Sequence, residues 1–154
     1  MSSQPATAKR SDVIYHVPAR GVPRRPLLQF ARAVQQDVAK GRAFTCLISS
    51  DEALRQLNRK FRKKNEATDV LSFPSADLGG AGAGEIAISF HRAQDQAAAF
   101  GHSTPDEIRI LLLHGVLHLL GLDHERDSGE MARAERRWRK HYGLPVGLIE
   151  RVPT

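Results

Sequence analysis

One run constrains this chain more than any other: Thr104 to Leu120, TPDEIRILLLHGVLHLL, reads as a helix with almost no polar face. Thr104 can cap it, Pro105 suits the first helical position, and Glu107 can close a capping box over the cap. Gly121 falls where a helix favours a left-handed residue, so the helix is expected to stop there. A helix that is apolar all round is buried on every side. Any fold containing it must therefore place it centrally. The length agrees, because 154 residues suffice for one domain with a single good core.

Two histidines interrupt that apolar surface and a third follows the turn, in the run HGVLHLLGLDH. Residues four apart share one helical face, so His114 and His118 can aim their imidazoles at a common point. Past Gly121 the chain can swing back and supply a third nitrogen from His124. Three neutral imidazoles with an open fourth position describe a catalytic zinc (Zn2+) site rather than a closed structural one. Buried histidines are more often satisfied core residues, and this chain has seven histidines in all. A third one placed beyond a helix-ending glycine is much harder to assign to chance. Zinc is the expected ion, one per chain, although nickel, copper and iron also accept nitrogen ligands.

The same spacing occurs in metzincin peptidases, whose motif is H-E-x-x-H-x-x-G-x-x-H. There the glutamate after the first histidine is the general base. Here that position is Gly115, which cannot accept a proton. Met131 lies inside an expected helix, which is no place for a Met-turn. A zinc peptidase-like hydrolase therefore stays only as an alternative. A phosphodiester suits the site better: the ion polarises a phosphoryl oxygen and brings bound water toward a pKa of about 7. A nearby arginine can then neutralise the charge that grows in the transition state.

The formal charge is +6. Arg55, Arg59, Lys60, Arg62, Lys63 and Lys64 crowd one segment, and Arg133, Arg136, Arg137, Arg139 and Lys140 another. Solvated helix faces would account for both. A metal centre in the same small chain shifts the balance toward a phosphate-rich substrate. Arg62 is the foremost candidate for a phosphate ligand, although position alone also suits a solvated residue at a helix end, and Arg59 and Lys63 beside it are expected to bind substrate. Cys46 stands alone, which excludes an intrachain disulfide, and reads as a small apolar residue in a strand. The N-terminus lacks a signal-peptide core and no apolar stretch is long enough to span a bilayer. Cytoplasmic residence without a membrane partner is expected.

Residues 1–10 read as a disordered tail and residues 11–154 as one domain. Strands are expected over Asp12–Val17, Ala43–Ser49, Val70–Phe73 and Glu85–Ser89. Helices are expected over Pro23–Lys40, after a Ser49 or Ser50 cap with Leu54, Leu57 and Phe61 inward, over His91–Phe100 and over Asp127–Tyr142. The segment LGGAGAG precedes a strand and lacks Gly-Lys-Ser/Thr, so it is a hairpin connection rather than a phosphate loop. This order implies the α+β class, with a small mixed β-sheet packed with helices around a metal-binding central helix.

HGVLHLLGLDH, with LNRKFRKKNEATDVLSFP (Leu57 to Pro74) and GEIAIS (Gly84 to Ser89) before it, resembles the YbeY family of bacterial metal-dependent endoribonucleases. The three motifs keep the family's order and separation, and the match runs from about Leu47 to Tyr142. The resemblance implies cleavage of single-stranded RNA, ribosomal RNA maturation at the end of the small-subunit RNA, and ribosome quality control. RNA and the small ribosomal subunit are then the partners. It puts the metal ligands at His114, His118 and His124 and the active-site arginine at Arg62, in the pair Phe61-Arg62. Thr68 to Pro74 would line the cleft opposite the metal helix. A non-catalytic ribosome-binding module, its metal merely pinning helix to turn, is the remaining rival. Attack by water or by the RNA's own 2′-hydroxyl is left open.

Other residues carry weaker expectations. Asp123 can hydrogen-bond a ligand imidazole or simply make a turn. Asp69 and Glu85 read as structural. The hydroxyls of Thr68 and Ser72 are candidates for RNA contact, Trp138 for core packing, and Gly115 for a purely steric role.

Overall fold

The computed structural model describes residues 10–62, 68–75 and 82–151. The expected tail, Arg10 apart, and most of the glycine-rich connection lie outside them. Among the described residues, four strands form one sheet: β1 (Asp12–Tyr15), β2 (Phe44–Ser49), β3 (Val70–Pro74) and β4 (Gly84–Ser89), in the order β1-β2-β4-β3. β1 and β4 flank β2 in parallel, and β3 runs antiparallel on the outer side of β4. Parallel neighbours need crossovers. Helix α1 (Arg24–Asp37) lies between β1 and β2, and α2 (Asp51–Arg62) begins the longer path to β4. Pro74 has no N–H to give a ladder, and it is tolerated because β3 is an edge strand and ends there. The sheet is mixed and helix-covered, as the α+β reading requires.

From Ile86 onward β4 is buried on both faces. Ile86 and Ile88 join Val13, Cys46 and Ile48 in the main core, while Ala87 turns to the other face with Leu71, Phe73 and Leu54 of α2. Phe61, expected inward with Leu54 and Leu57, is instead 46% exposed and makes an edge-on contact with Phe73. It sits in the last turn of α2, where the helix runs beyond the sheet's small apolar patch. Cys46 is fully buried in β2, and burial pushes its thiol up to about 12, so it packs as an inert apolar residue.

Helix α3 (Phe90–Phe100) leads to α4 (Thr104–Leu119), which is buried around its whole circumference, from Glu107 and Ile108 through Leu111, Leu112 and Leu113 to Leu117. The central helix read from the sequence is present. Its cap differs by one residue: the Ser103 hydroxyl, not that of Thr104, accepts the Asp106 N–H at 3.2 Å. Glu107 consequently closes no capping box. It turns inward, fully buried, and takes both Arg151 and His102.

Helix α5 (Glu130–Tyr142) starts later than Asp127, because the Asp127 carboxylate accepts the N–H groups of Gly129 and Met131 and makes a turn ahead of it. α1 likewise stops at Asp37 rather than Lys40, which takes a left-handed φ of 55°. The described chain closes with a 3-10 turn, Ile149–Arg151. No helix among the described residues is long and apolar enough to cross a membrane.

Candidate metal centre

The last turns of α4 and the loop after it build the site. Gly121, at φ 95°, ends the helix in a Schellman arrangement: its N–H reaches His118 O at 2.9 Å and the Leu122 N–H reaches Leu117 O at 3.2 Å. That turn carries His124 back beside the helix. Ring centroids stand 4.8 Å apart for His114 and His118, 5.9 Å for His114 and His124, and 6.0 Å for His118 and His124. One nitrogen from each lies within 4.8 Å of the others, close enough to share an ion.

Orientation comes from α5. Glu135 Oε2 lies 2.7 Å from His114 Nδ1, with both side chains buried. The ring therefore donates Nδ1–H to the carboxylate and turns its Nε2 lone pair toward the other histidines. Burial, and then the two neighbouring imidazoles, pulls the His118 pKa down and favours its neutral, metal-ready form. His124 Nδ1 is buried with no hydrogen-bond partner among the described residues. Leaving such an atom unpaired costs about 1–3 kcal/mol, a cost a cation beside it would remove. An all-imidazole donor set, an orphaned buried nitrogen and a carboxylate behind one ligand together fit a divalent transition metal.

These histidines line a cleft of about 540 Å³. Thr68, Val70, Ser72 and Pro74 form its other wall, and Asn58 of α2 also reaches it. The edge strand thus faces the metal helix. The Ser72 hydroxyl is committed within that wall, donating to Gly115 O at 2.9 Å. A Cβ on Gly115 would stand 2.9 Å from Ile86 Cγ2, so glycine there is a steric necessity.

A profile of the family described as Endoribonuclease YbeY matches residues 25–143 of the chain. The chain belongs to the YbeY family. The Endoribonuclease YbeY of Solibacter usitatus is 61% identical over 132 residues, which cover 85% of this chain and 88% of the relative. That of Koribacter versatilis is 51% identical over 133 residues, covering 86% of each chain. A solution structure of a protein from Thermotoga maritima superposes with a TM-score of 0.58 at 25% identity, covering 86% of this chain and 89% of that one. The YbeY resemblance read from three motifs thus extends over most of the chain.

The basic segment is only partly visible. Arg59 is exposed on α2, and Arg62 is the last residue of that helix. The Arg62 side chain and all of Lys63 lie outside the described residues. Position 62 falls one turn after Asn58, on the helical face that reaches the cleft.

Asp123 makes a turn, its Oδ1 accepting the Glu125 N–H at 3.0 Å. Asp69 is largely buried, which raises its pKa, and its carbonyl accepts the Ser89 N–H at 3.0 Å. Trp138 packs against the core and stacks on Tyr142, whose hydroxyl donates to Asp37. Sequence reasoning missed Glu135. The available signal was an acid on the apolar stripe of α5, four residues after Met131, in a helix read for its basic residues and for Trp138.

Proposed function

We propose that this chain is a zinc-dependent endoribonuclease that cuts single-stranded RNA in ribosomal RNA maturation. Its setting is the end of the small-subunit RNA and ribosome quality control, in the cytoplasm. Residues 11–154 act as one catalytic domain. The observation that carries this reading is the convergence of three imidazole nitrogens within 4.8 Å in an open cleft. Membership of a family described as Endoribonuclease YbeY supplies the substrate class.

In this reading His114, His118 and His124 hold the ion, and zinc suits three nitrogen donors. When bound, the ion supplies Lewis-acid polarisation of the phosphate and lowers the pKa of solvent at the site. Glu135 keeps His114 in the tautomer that a ligand needs. Arg62 grips the scissile phosphate, where a planar guanidinium can neutralise growing charge on two oxygens. Arg59 and Lys63, in the same segment, follow the RNA backbone. The peptidase alternative loses ground at Gly115, since β4 leaves no room for the side chain of a general base.

Metal analysis of the purified protein, with cleavage of a single-stranded RNA before and after chelation, tests the proposal. Cleavage that vanishes with chelator and returns with zinc is the expected result. A zinc-loaded protein that leaves RNA intact but cuts unstructured protein would overturn it. Product ends choose the nucleophile, because a cyclic phosphate requires attack by the 2′-hydroxyl.

A further inference from the structure

Glu135 spends both of its oxygens. Oε2 takes His114 Nδ1 at 2.7 Å, and Oε1 accepts the backbone N–H of Ile149 at 2.8 Å. Gly147 presses on the same carboxylate: a Cβ there would stand 2.5 Å from Oε1 and 2.8 Å from Cδ. The segment that supplies both contacts is anchored at two points. Glu150 accepts from Arg139 of α5 at 2.9 Å and from the Gly147 N–H at 3.2 Å. Arg151 makes two bonds, of 2.9 Å and 2.8 Å, to the buried Glu107 at the start of α4. Gly147, Ile149, Glu150 and Arg151 all lie beyond the residues that the family profile matches.

We propose that this C-terminal turn is a positioning device for the metal centre, in which the Ile149 N–H and the bare Cα of Gly147 hold Glu135 in the rotamer that aims His114. A glutamate has three rotatable bonds, and a buried carboxylate must keep charge-assisted partners on both oxygens. With Oε1 fixed by the turn, Oε2 has one place to go. Without that N–H the carboxylate turns toward other donors, and the imidazole loses the acceptor that sets its tautomer. The inference rests on the metal-centre reading above.

The test compares zinc affinity of the full chain, by competition with a chromophoric chelator at one pH, together with the imidazole nitrogen NMR signature of His114 in the metal-free protein. Ile149→Pro removes the N–H; position 149 follows the first residue of a turn closed by Arg151 N and Leu148 O at 3.3 Å, where proline is favoured. Ile149→Ala loses the same side chain but keeps the N–H, and sets the baseline. Gly147→Ala displaces the carboxylate while leaving every backbone donor in place.

Ile149→Pro and Gly147→Ala are expected to weaken zinc binding about tenfold or more against that baseline. Both should mix the His114 tautomers, and Ile149→Pro should add nothing further on a Glu135→Gln background. Baseline affinity with an unchanged His114 signature, or losses that add in the double variant, would overturn the proposal. Should Ile149→Pro not fold, Gly147→Ala decides alone. A wild-type chain that binds no zinc, or one whose affinity survives His114→Ala, sinks the metal-centre reading instead. The metal-free tautomer still reports on the turn in that case.

Discussion

Ser72 and Gly115 fasten the edge strand to the metal helix: the serine hydroxyl donates to the glycine carbonyl at 2.9 Å, and a Cβ on the glycine would stand 3.2 Å from that hydroxyl. Mid-helix Gly→Ala normally gains about 1 kcal/mol. Here the new methyl also meets Ile86, buried in β4, and overpacking costs about 1–3 kcal/mol. Gly115→Ala is therefore expected to lower stability on balance, read as an earlier urea midpoint. Gly115→Glu, which restores the peptidase pattern, should unfold the site rather than create a peptidase.

His114→Ala and His118→Ala separate chemistry from folding. Both should abolish RNA cleavage while RNA binding largely survives. Only His114→Ala takes a hydrogen-bond donor from a buried carboxylate, at Glu135, and leaving a buried acceptor short of its partner costs about 1–3 kcal/mol. Thermal unfolding of the metal-free variants should show the larger loss for His114→Ala. Equal losses would mean that the Glu135 contact contributes nothing.

Arg62→Ala is expected to cut the cleavage rate about a hundredfold or more, as losing a preorganised donor to transition-state charge does. Arg62→Lys should recover little, because an ammonium cannot bridge two phosphate oxygens. Arg59→Ala and Lys63→Ala should instead weaken RNA binding and flatten its salt dependence. Single-turnover rates at saturating RNA, beside binding isotherms at several salt concentrations, distinguish the two behaviours.

Acid should loosen the C-terminal turn. The Arg139 bond, followed by the Gly147 N–H and further charge from Arg139 and Arg136, holds Glu150 near 2 against its ordinary 4.5, despite partial burial. The folded carboxyl thus binds its proton later than the unfolded one. Its contribution is complete above about pH 4.5 and is lost as pH falls toward 2. Glu150→Gln should flatten this acid limb in urea unfolding measured from pH 6 down to 3. Parallel limbs for the two proteins would remove Glu150 from the account.

What the sequence made legible followed from period and punctuation. α4 could be read because an apolar surface on every side admits only a central position, and Gly121 marked its end. The three histidines followed from that helix and turn alone. Boundaries failed where a side chain captured backbone from outside the pattern: Ser103 took the cap from Thr104, and Asp127 held a turn where a helix was expected. Glu107 and Glu135 were misjudged or missed for one reason. Each is a buried acid with a partner far along the chain, Arg151 for Glu107 (beside the nearby His102) and His114 for Glu135, and no local spacing announces such a pair.

The Schellman turn at Gly121 makes the count of residues in this stretch all-or-none. Each residue of an α-helix advances the chain by about 100° and 1.5 Å. One inserted between His118 and Gly121 would rotate the third imidazole by about 100° about the helix axis and carry it about 1.5 Å along it, off the face that holds the other two. Side chains around the cleft can be exchanged gradually in an engineered series; the length of this short connection cannot.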